Sequence, residues 1–313
     1  MHRCSARFAF VSFAALIAGC AQSVASGAVK TEALPADGGD VGKSYAEFAS
    51  AVAANDKARL AKFAAPDVAD KGPSYFQMLG DMSARKPIGG RRQGDHATLF
   101  LQIAGSGNGN SFELWNAKLA QPNWQFENPF SSRIAISYPA RPYHDCSKRA
   151  EFPCGVTTAP DSIVSGSVTL TKFDSDLYKT APVFALFDGF AVRMFEGEGK
   201  EPKSTRIYLS SMGILPQTVT DTDLSPGTVR NALTAALLDV DVAANGKLAQ
   251  AAFWQANQVK KSEIKEGIAI ESNDGKRIRG RVKTSTDSMA IDVYFDIATA
   301  SGCHSDDSDT CNW

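Results

Sequence analysis

Alternation of apolar and polar side chains in the second half of the chain limits the possible folds more than any other feature. The apolar positions are Val164, Gly166, Val168 and Leu170, and the polar positions between them are Ser165, Ser167, Thr169 and Thr171. A period of two puts successive side chains on opposite faces of a β-strand, one of which is buried. Further strands are predicted near residues 267–272, 276–283 and 290–298, so this region is expected to form an antiparallel sheet.

Side-chain parity also predicts how the last three strands pair. The loop Asn273-Asp274-Gly275 suits a three-residue turn with its glycine in the left-handed region. Placing Ile278 opposite Phe295 buries apolar pairs on one face of the sheet. The same register sets Arg277 opposite Asp296 on the other face.

A basic run on these strands has two interpretations. Its members are Lys276, Arg277, Arg279, Arg281 and Lys283, and the acidic residues expected to face them are Glu271, Asp292 and Asp296. A row of cations could bind lipopolysaccharide or another acidic polymer. Because carboxylates fall opposite, we favour a solvent-exposed face that is neutralised by its own neighbours.

The segment before this sheet is predicted to hold further strands and one helix. Residues 183–187 and 190–195 are strand-like and flank Asp188-Gly189, which is typical of a hairpin turn. Residues 206–209 form another predicted strand. A serine and a proline followed by apolar residues at helical spacing predict a helix over residues 225–237. This half is therefore expected to be β-rich and antiparallel, with one helix.

The first half of the chain combines helical and strand-like segments. A Ser-Tyr-Ala-Glu capping box opens a predicted helix over residues 44–65, and a second helix is predicted over residues 73–85. Strands are predicted at residues 97–103, 112–119 and 124–126. Two helices packed on a curved antiparallel sheet make an α+β fold.

This order of elements resembles the NTF2-like cone fold found in exported lipoproteins. The stretch Gly94-Asp95-His96-Ala97 before the long strand and Trp124 late in the sheet carry the resemblance, which covers about residues 43–130. It implies a cone with a cavity. Enzymatic members place an acid and a histidine inside that cavity, so Asp95 and His96 are the catalytic candidates. The alternative is that His96 is a surface residue at a strand end.

The start of the chain has the parts of a secretory signal. Arg3 and Arg7 precede an apolar stretch, residues 8–17, that is too short to cross a membrane as a resident helix. Ala18-Gly19-Cys20 then resembles a bacterial lipobox, which implies cleavage before Cys20 and attachment of diacylglycerol to its thiol. An ordinary cleaved signal with an incidental cysteine nearby is the alternative.

The segment after the lipobox is small, polar and rich in glycine. It is predicted to be a flexible tether over residues 20–42. By the same resemblance, Ala21 in place of aspartate after the cysteine implies the outer membrane. Residues 38–44 resemble a phosphate-binding loop, but Asp37 stands where the first glycine of that motif belongs and no strand is predicted before it. We therefore expect no nucleotide site here.

These boundaries predict the domain organisation. A signal peptide over residues 1–19 and the tether over 20–42 precede an α+β domain over 43–136. A linker rich in proline over 137–161 separates it from a β-rich domain over 162–313.

The cysteines indicate an oxidising compartment. In an exported chain, an even number of cysteines is read as a set of disulfides. We favour the local pairs Cys146–Cys154 and Cys303–Cys311, because short loops close most readily. A zinc site is the alternative, but the closer Cys-x-x-Cys spacing typical of zinc is absent.

The last loop concentrates carboxylates at Asp306, Asp307 and Asp309. Calcium binding is one interpretation, but the spacing lacks the glycine and the distal glutamate of a calcium-binding hand. Solvated carboxylates are the expectation, and no cofactor is predicted.

Charge and motifs narrow the expected function. Removing residues 1–19 leaves 31 basic and 34 acidic residues, a net charge of −3, which does not call for nucleic acid. Neither a Gly-x-Ser-x-Gly nor a His-Glu-x-x-His motif occurs. We expect a non-catalytic lipoprotein held at the membrane through Cys20 that binds an envelope protein, glycan or lipid. The alternative is an enzyme that uses Asp95 and His96 in the cone.

Overall fold

Two β-sheets organise the part of the chain that the structure describes, and the α-helices of that part all lie before the second strand. The computed structural model describes residues 29–103, 111–127, 133–137, 162–173, 180–195, 202–214, 236–255, 258–264 and 266–304. In chain order, its elements are β1 (Glu32–Leu34), α1 (Gly39–Ala53), α2 (Lys57–Leu60), α3 (Pro66–Ala69), α4 (Pro73–Gln77), β2 (Arg85–Gln93), β3 (His96–Ile103), β4 (Ser111–Ala120), β5 (Asn123–Phe126), β6 (Arg133–Ser137), β7 (Ser162–Leu170), β8 (Val183–Leu186), β9 (Asp188–Phe195), β10 (Pro202–Ser210), β11 (Ala236–Ala243), β12 (Leu248–Gln255), β13 (Gln258–Glu263), β14 (Ile268–Asn273), β15 (Arg277–Ser285) and β16 (Met289–His304). The predicted α+β class is confirmed.

The first sheet is an antiparallel arrangement of six strands with α1 packed on one face. Strands β1 to β5 pair in chain order, and β6 pairs with β4. Aromatic rings fill the space between helix and sheet: Tyr45 and Phe48 lie within about 6 Å of Trp115 and Phe126, and Phe48 is 4.9 Å from Phe76. The edge-to-face geometry of several of these pairs suits the charge distribution of aromatic rings.

The first helix differs from its prediction at both ends. It begins at Gly39, after Gly38 with a φ of 76°, so the predicted cap residue Ser44 lies inside the helix. The Ser44 hydroxyl instead accepts a hydrogen bond from the backbone N–H of Trp124 at 3.3 Å. The helix ends at Ala53 because Asn55 adopts a positive φ of 55°, which interrupts the predicted span to residue 65.

The predicted helix over residues 73–85 is also wrong beyond its first turn. The helix α4 ends at Gln77, and Gly80 then takes a φ of 84°. A short 3₁₀ turn follows over Met82–Ala84, and Arg85 already belongs to β2. The left-handed glycine stops the helix although the apolar spacing continues past it.

The predicted tether is wrong for residues 32–42. Strand β1 pairs antiparallel with β2, with Glu32 opposite Arg92 and Leu34 opposite Gly90. A strand therefore does precede the glycine-rich stretch 38–44, which forms the start of α1. Three residues are too few to display a period of two, so the strand is visible only through its pairing partner.

The second sheet has ten strands and folds over so that its two halves share one core. Strand β16 joins the halves: its first part pairs antiparallel with β15 and β7, and its end pairs parallel with β9. The core between the halves includes Val168, Ile207, Val240, Val293 and Phe295, all fully buried. The one parallel pairing among the described strands departs from the purely antiparallel domain that was predicted.

Two predictions in this half are wrong. Asp188-Gly189 makes no hairpin, because β8 pairs with β7, whereas β9 pairs with β10 and β16. Ala236 and Leu237 were predicted to end a helix but begin β11. Residues 225–235 of that predicted helix lie outside the described residues.

The register of the last hairpin is shifted by two residues from the prediction. Ile278 pairs with Ile297 and Arg279 with Asp296, whereas Phe295 was expected opposite Ile278. A shift of two keeps every side chain on its predicted face, because the side-chain period of a strand is also two. Gly275 has a φ of 79°, so the predicted left-handed glycine is confirmed.

Candidate functional site

The predicted catalytic pair lies on the surface. Asp95 and His96 sit at the turn between β2 and β3, with His96 Nε2 3.6 Å from Asp95 Oδ1. Their side chains are 56% and 37% exposed. This exposed, loosely paired geometry is not that of a base held in a concave apolar pocket.

Most of the other predicted site residues lie outside the described residues. These are Cys20, Cys146, Cys154, Cys311, Asp306, Asp307 and Asp309, while Cys303 is placed in β16 by its backbone alone. In the described ranges, no group of three or more histidine, cysteine, aspartate or glutamate residues is arranged to hold a metal ion. No helix of these ranges has both the length and the apolar character needed to span a membrane.

The most enclosed charged site joins the two sheets. Arg91 on β2 and Asp188 at the start of β9 form an ion pair in which each side chain is 1% exposed. Arg91 Nε donates to Asp188 Oδ2 at 2.8 Å, and Arg91 Nη2 donates to Oδ1 at 3.0 Å. This two-pronged geometry is the strongest form of an arginine–carboxylate contact.

Further hydrogen-bond donors contact both oxygens of the Asp188 carboxylate. The Ser162 hydroxyl and the Gly189 N–H donate to Oδ1, and the Ile214 N–H donates to Oδ2 at 2.9 Å. A buried carboxylate whose oxygens all accept hydrogen bonds from the protein is not available to a substrate. The pair therefore fixes the position of β9 against β2 and has no catalytic geometry.

A second polar contact joins the sheets beside this ion pair. The Gly213 N–H donates to the Thr98 hydroxyl at 2.7 Å, and that hydroxyl donates to Asn116 Oδ1 at 2.7 Å. Asn116 Nδ2 in turn donates to the Ser211 carbonyl. Gly213 lies so close to Arg91 that a Cβ at this position would be 2.6 Å from the Arg91 Cβ. The segment 211–214 is thus packed tightly against the first sheet.

The first described residues are held at the same junction. Thr31 is fully buried; its N–H donates to the Ser162 carbonyl at 2.9 Å and its hydroxyl donates to the Phe187 carbonyl. Gln93 adds a bond from Nε2 to the Val164 carbonyl at 2.6 Å. The chain therefore enters the fold between the two sheets. We call the contacts of Arg91, Asp188, Gly213 and Thr31 the junction.

A separate buried ion pair stabilises the first sheet. Arg85 Nε donates to Glu113 Oε2 at 2.7 Å, and Trp115 Nε1 donates to the same oxygen at 2.8 Å. Arg85 also donates to the carbonyls of Leu79 and Asp81, so it holds the turn before β2. Burial raises the pKa of the neighbouring Tyr45 well above its usual value of about 10. These groups are engaged with one another and have a structural role.

A surface depression beside α1 and α2 is also internally paired. Its volume is about 380 Å³, and its walls are Glu47, Asp56, Ala58, Arg59, Lys62 and Phe63. Arg59 contacts Glu47 through two nitrogens and donates to Ser50 at 3.2 Å. The mixed charges of its walls do not select one class of ligand.

Four members of the basic run, Arg277, Arg279, Arg281 and Lys283, lie on one face of β15, whereas Lys276 precedes the strand. Arg277 and Arg279 both contact Asp296, the latter at 2.9 Å, so that carboxylate is shared by two cations. Asp292 is shared in the same way by Arg281 at 2.6 Å and Lys283 at 3.7 Å. The contacts predicted for Arg277 with Asp296 and Arg281 with Asp292 are confirmed. The predicted face is present, with two cations for each carboxylate of β16.

Sequence reasoning missed the junction. Arg91 falls in a stretch for which no element was predicted, and Asp188 was interpreted as a turn residue because glycine follows it. The two residues are 97 positions apart, and nothing in their local sequence links them. The absence of a hydrophobic pattern around an arginine gives no signal that the side chain is buried.

Comparisons of the chain with protein-family models, with curated proteins and with solved structures found no match.

Proposed function

We propose that this protein is a non-catalytic cell-envelope lipoprotein anchored to the membrane through Cys20. The observation that carries the proposal is the stretch Ala18-Gly19-Cys20 after a basic start and a short apolar segment. Small residues before the cysteine suit an extended chain in a peptidase cleft, and the thiolate is the group that accepts the lipid.

The position of Thr31 limits how far the folded part could lie from an anchor at Cys20. Thr31 lies eleven residues after Cys20 and is buried at the junction. Eleven residues span at most about 40 Å when fully extended. An anchor at Cys20 would therefore hold the junction close to the membrane. Both sheets would be subject to the same limit on their distance from it.

The state of the buried charges supports binding over catalysis. Arg91 with Asp188 and Arg85 with Glu113 are closed structural pairs, and the exposed pair Asp95 and His96 lacks an enclosed pocket. General acid–base chemistry needs a group held within reach of a bound substrate. We therefore propose that the protein binds an envelope protein, glycan or lipid, without a cofactor.

Finer features are part of the same proposal. Residues 43–130 would belong to the NTF2-like class, a likeness that α1 packed on an antiparallel meander supports. Cys146 with Cys154, and Cys303 with Cys311, would form local disulfides in the oxidising envelope. Ala21 would direct the mature protein to the outer membrane.

Fractionation of a bacterial host that produces the full chain tests the anchor. We expect the protein in the membrane fraction, extracted by detergent but not by high salt, because acyl chains and not charges hold it. The Cys20→Ala variant should take up no labelled fatty acid and, once its signal is cleaved, should move to the soluble fraction. Equal fatty-acid labelling of wild type and variant would contradict the proposal, and Cys4→Ala serves as the control that should change nothing.

A further inference from the structure

The exposed face of β15 carries more positive charge than its neighbours neutralise. Arg277, Arg279, Arg281 and Lys283 occupy alternate positions along the strand and form ion pairs with two carboxylates, Asp292 and Asp296, on β16. Glu271 on β14 contributes a third negative charge near Arg279. Within these described strands the face therefore keeps a net positive charge.

The cations form a line and not a broad patch. Alternate residues of a strand are about 7 Å apart, so the four side chains extend over about 20 Å. A parallel line of carboxylates on β16 lies directly beside them. A flat anionic surface would meet both lines at once, whereas a linear polyanion can follow the basic line alone.

Groups that suit a sugar chain border the line. Tyr294 lies between Asp292 and Asp296 on the same face and pairs with Ser165 on β7. Asp292 pairs with Ser167, so a row of hydroxyl groups runs alongside. A tyrosine with an apolar ring and a polar tip, next to hydroxyl groups and planar guanidinium groups, offers stacking and hydrogen bonds together.

We propose that this face, defined by Arg277, Arg279, Arg281, Lys283 and Tyr294, binds a linear anionic glycan that carries carboxylates. The choice of a glycan rests on the proposed function, because the cell envelope is where the chain would meet one. The charge of this face is the same with or without acylation at Cys20. Each bound carboxylate would replace Asp292 or Asp296 as partner of one of the two cations that share it.

Binding of the full chain to polygalacturonate at low ionic strength tests the proposal. The variant Arg279→Gln/Lys283→Gln should lose about tenfold in affinity or more, because two of the four cations are removed. Asp292→Asn should bind more tightly than wild type, because it leaves Arg281 and Lys283 uncompensated. The matched control is Lys43→Gln/Lys86→Gln, which removes two exposed lysines, one on α1 and one on β2. It should bind as wild type does.

Several outcomes would overturn the proposal. They are no binding of wild type to polygalacturonate, equal loss in the control variant, unchanged affinity in Asp292→Asn, or tighter binding of unacylated Cys20→Ala protein to phosphatidylglycerol vesicles than to the polymer. Added salt should weaken the binding, because surface charges are screened within about 10 Å at 0.1 M. Neutral dextran should not bind.

The same assay on Cys20→Ala protein separates this proposal from the proposed function. Binding that persists in an unacylated chain supports the glycan face whatever the location of the protein. Loss of binding in acylated wild-type protein overturns the glycan face and leaves the anchor intact.

Discussion

At the scale of single residues, the junction shows why a buried charge needs its partner. Arg91 and Asp188 satisfy each other and their neighbours so completely that removal of one leaves the other charged and unpaired. Arg91→Met should lower the free energy of unfolding by about 3–5 kcal/mol. Urea denaturation followed by circular dichroism measures this loss.

The neighbouring arginine provides the control for that prediction. Arg92 is 37% exposed and contacts Asp40, which is 57% exposed, at 3.4 Å. Arg92→Met should cost no more than about 1 kcal/mol, because solvent already screens its charge. Similar losses for the two variants would show that Arg91 is not the buried anchor of the junction.

The burial of Tyr45 predicts that the stability of the protein falls at alkaline pH. Burial raises the pKa of its hydroxyl in the folded protein, so the unfolded chain releases the proton first as the pH rises. The contribution of Tyr45 is therefore fully present below pH about 10 and is lost as the pH rises above that value. Tyr45→Phe should lose less stability between pH 9 and 11 than wild type, measured by thermal unfolding. An identical pH profile for both proteins would contradict the buried, neutral state of Tyr45.

At the scale of elements, the segment 211–214 depends on one small residue. Gly213 leaves no room for a side chain against Arg91, and its N–H is held by Thr98. Gly213→Ala should destabilise the protein by about 1–3 kcal/mol, because close-packed atoms must move apart. Thr98→Ser, which keeps the accepting hydroxyl, should be milder. Calorimetry on both variants measures the loss of stability. If Gly213→Ala is as stable as wild type, the segment 211–214 does not pack against the first sheet.

The elements also show what sequence reasoning can reach. Strand β7 was predicted closely because a half-buried strand shows its period of two in the sequence, whereas β3 and β4 were predicted from their strand-like composition. Strand β1 is too short to display a period, and the run over residues 73–85 keeps helical spacing past Gly80, which ends the helix. The register of β15 against β16 was displaced by two residues because parity fixes the face of a side chain but not its position along the partner.

The candidate sites also differ in whether they could be predicted from the sequence. The carboxylate partners of the basic run were predictable, because strand neighbours in a hairpin follow from local order. The junction was not, because Arg91 and Asp188 meet only through the packing of two sheets that are distant in sequence. Long-range polar contacts leave no periodic trace.

At the scale of the whole molecule, the junction holds the two sheets together, and the proposed lipid anchor at Cys20 would be connected to it through Thr31. Thr31 contacts the second sheet and leads directly into β1 of the first sheet, so tension on the N-terminus would act on both sheets together. With the proposed anchor at Cys20, the basic face of β15 would lie at a bounded distance from the membrane. The proposed function would then depend on location and a charged surface.

Intact-mass and peptide analysis of the protein from a bacterial host that acylates lipoproteins tests the central claim most directly. We predict a mature chain that begins at Cys20 and carries a thioether-linked diacylglycerol. A chain that begins elsewhere, or that begins at Cys20 with an unmodified thiol, would contradict the account.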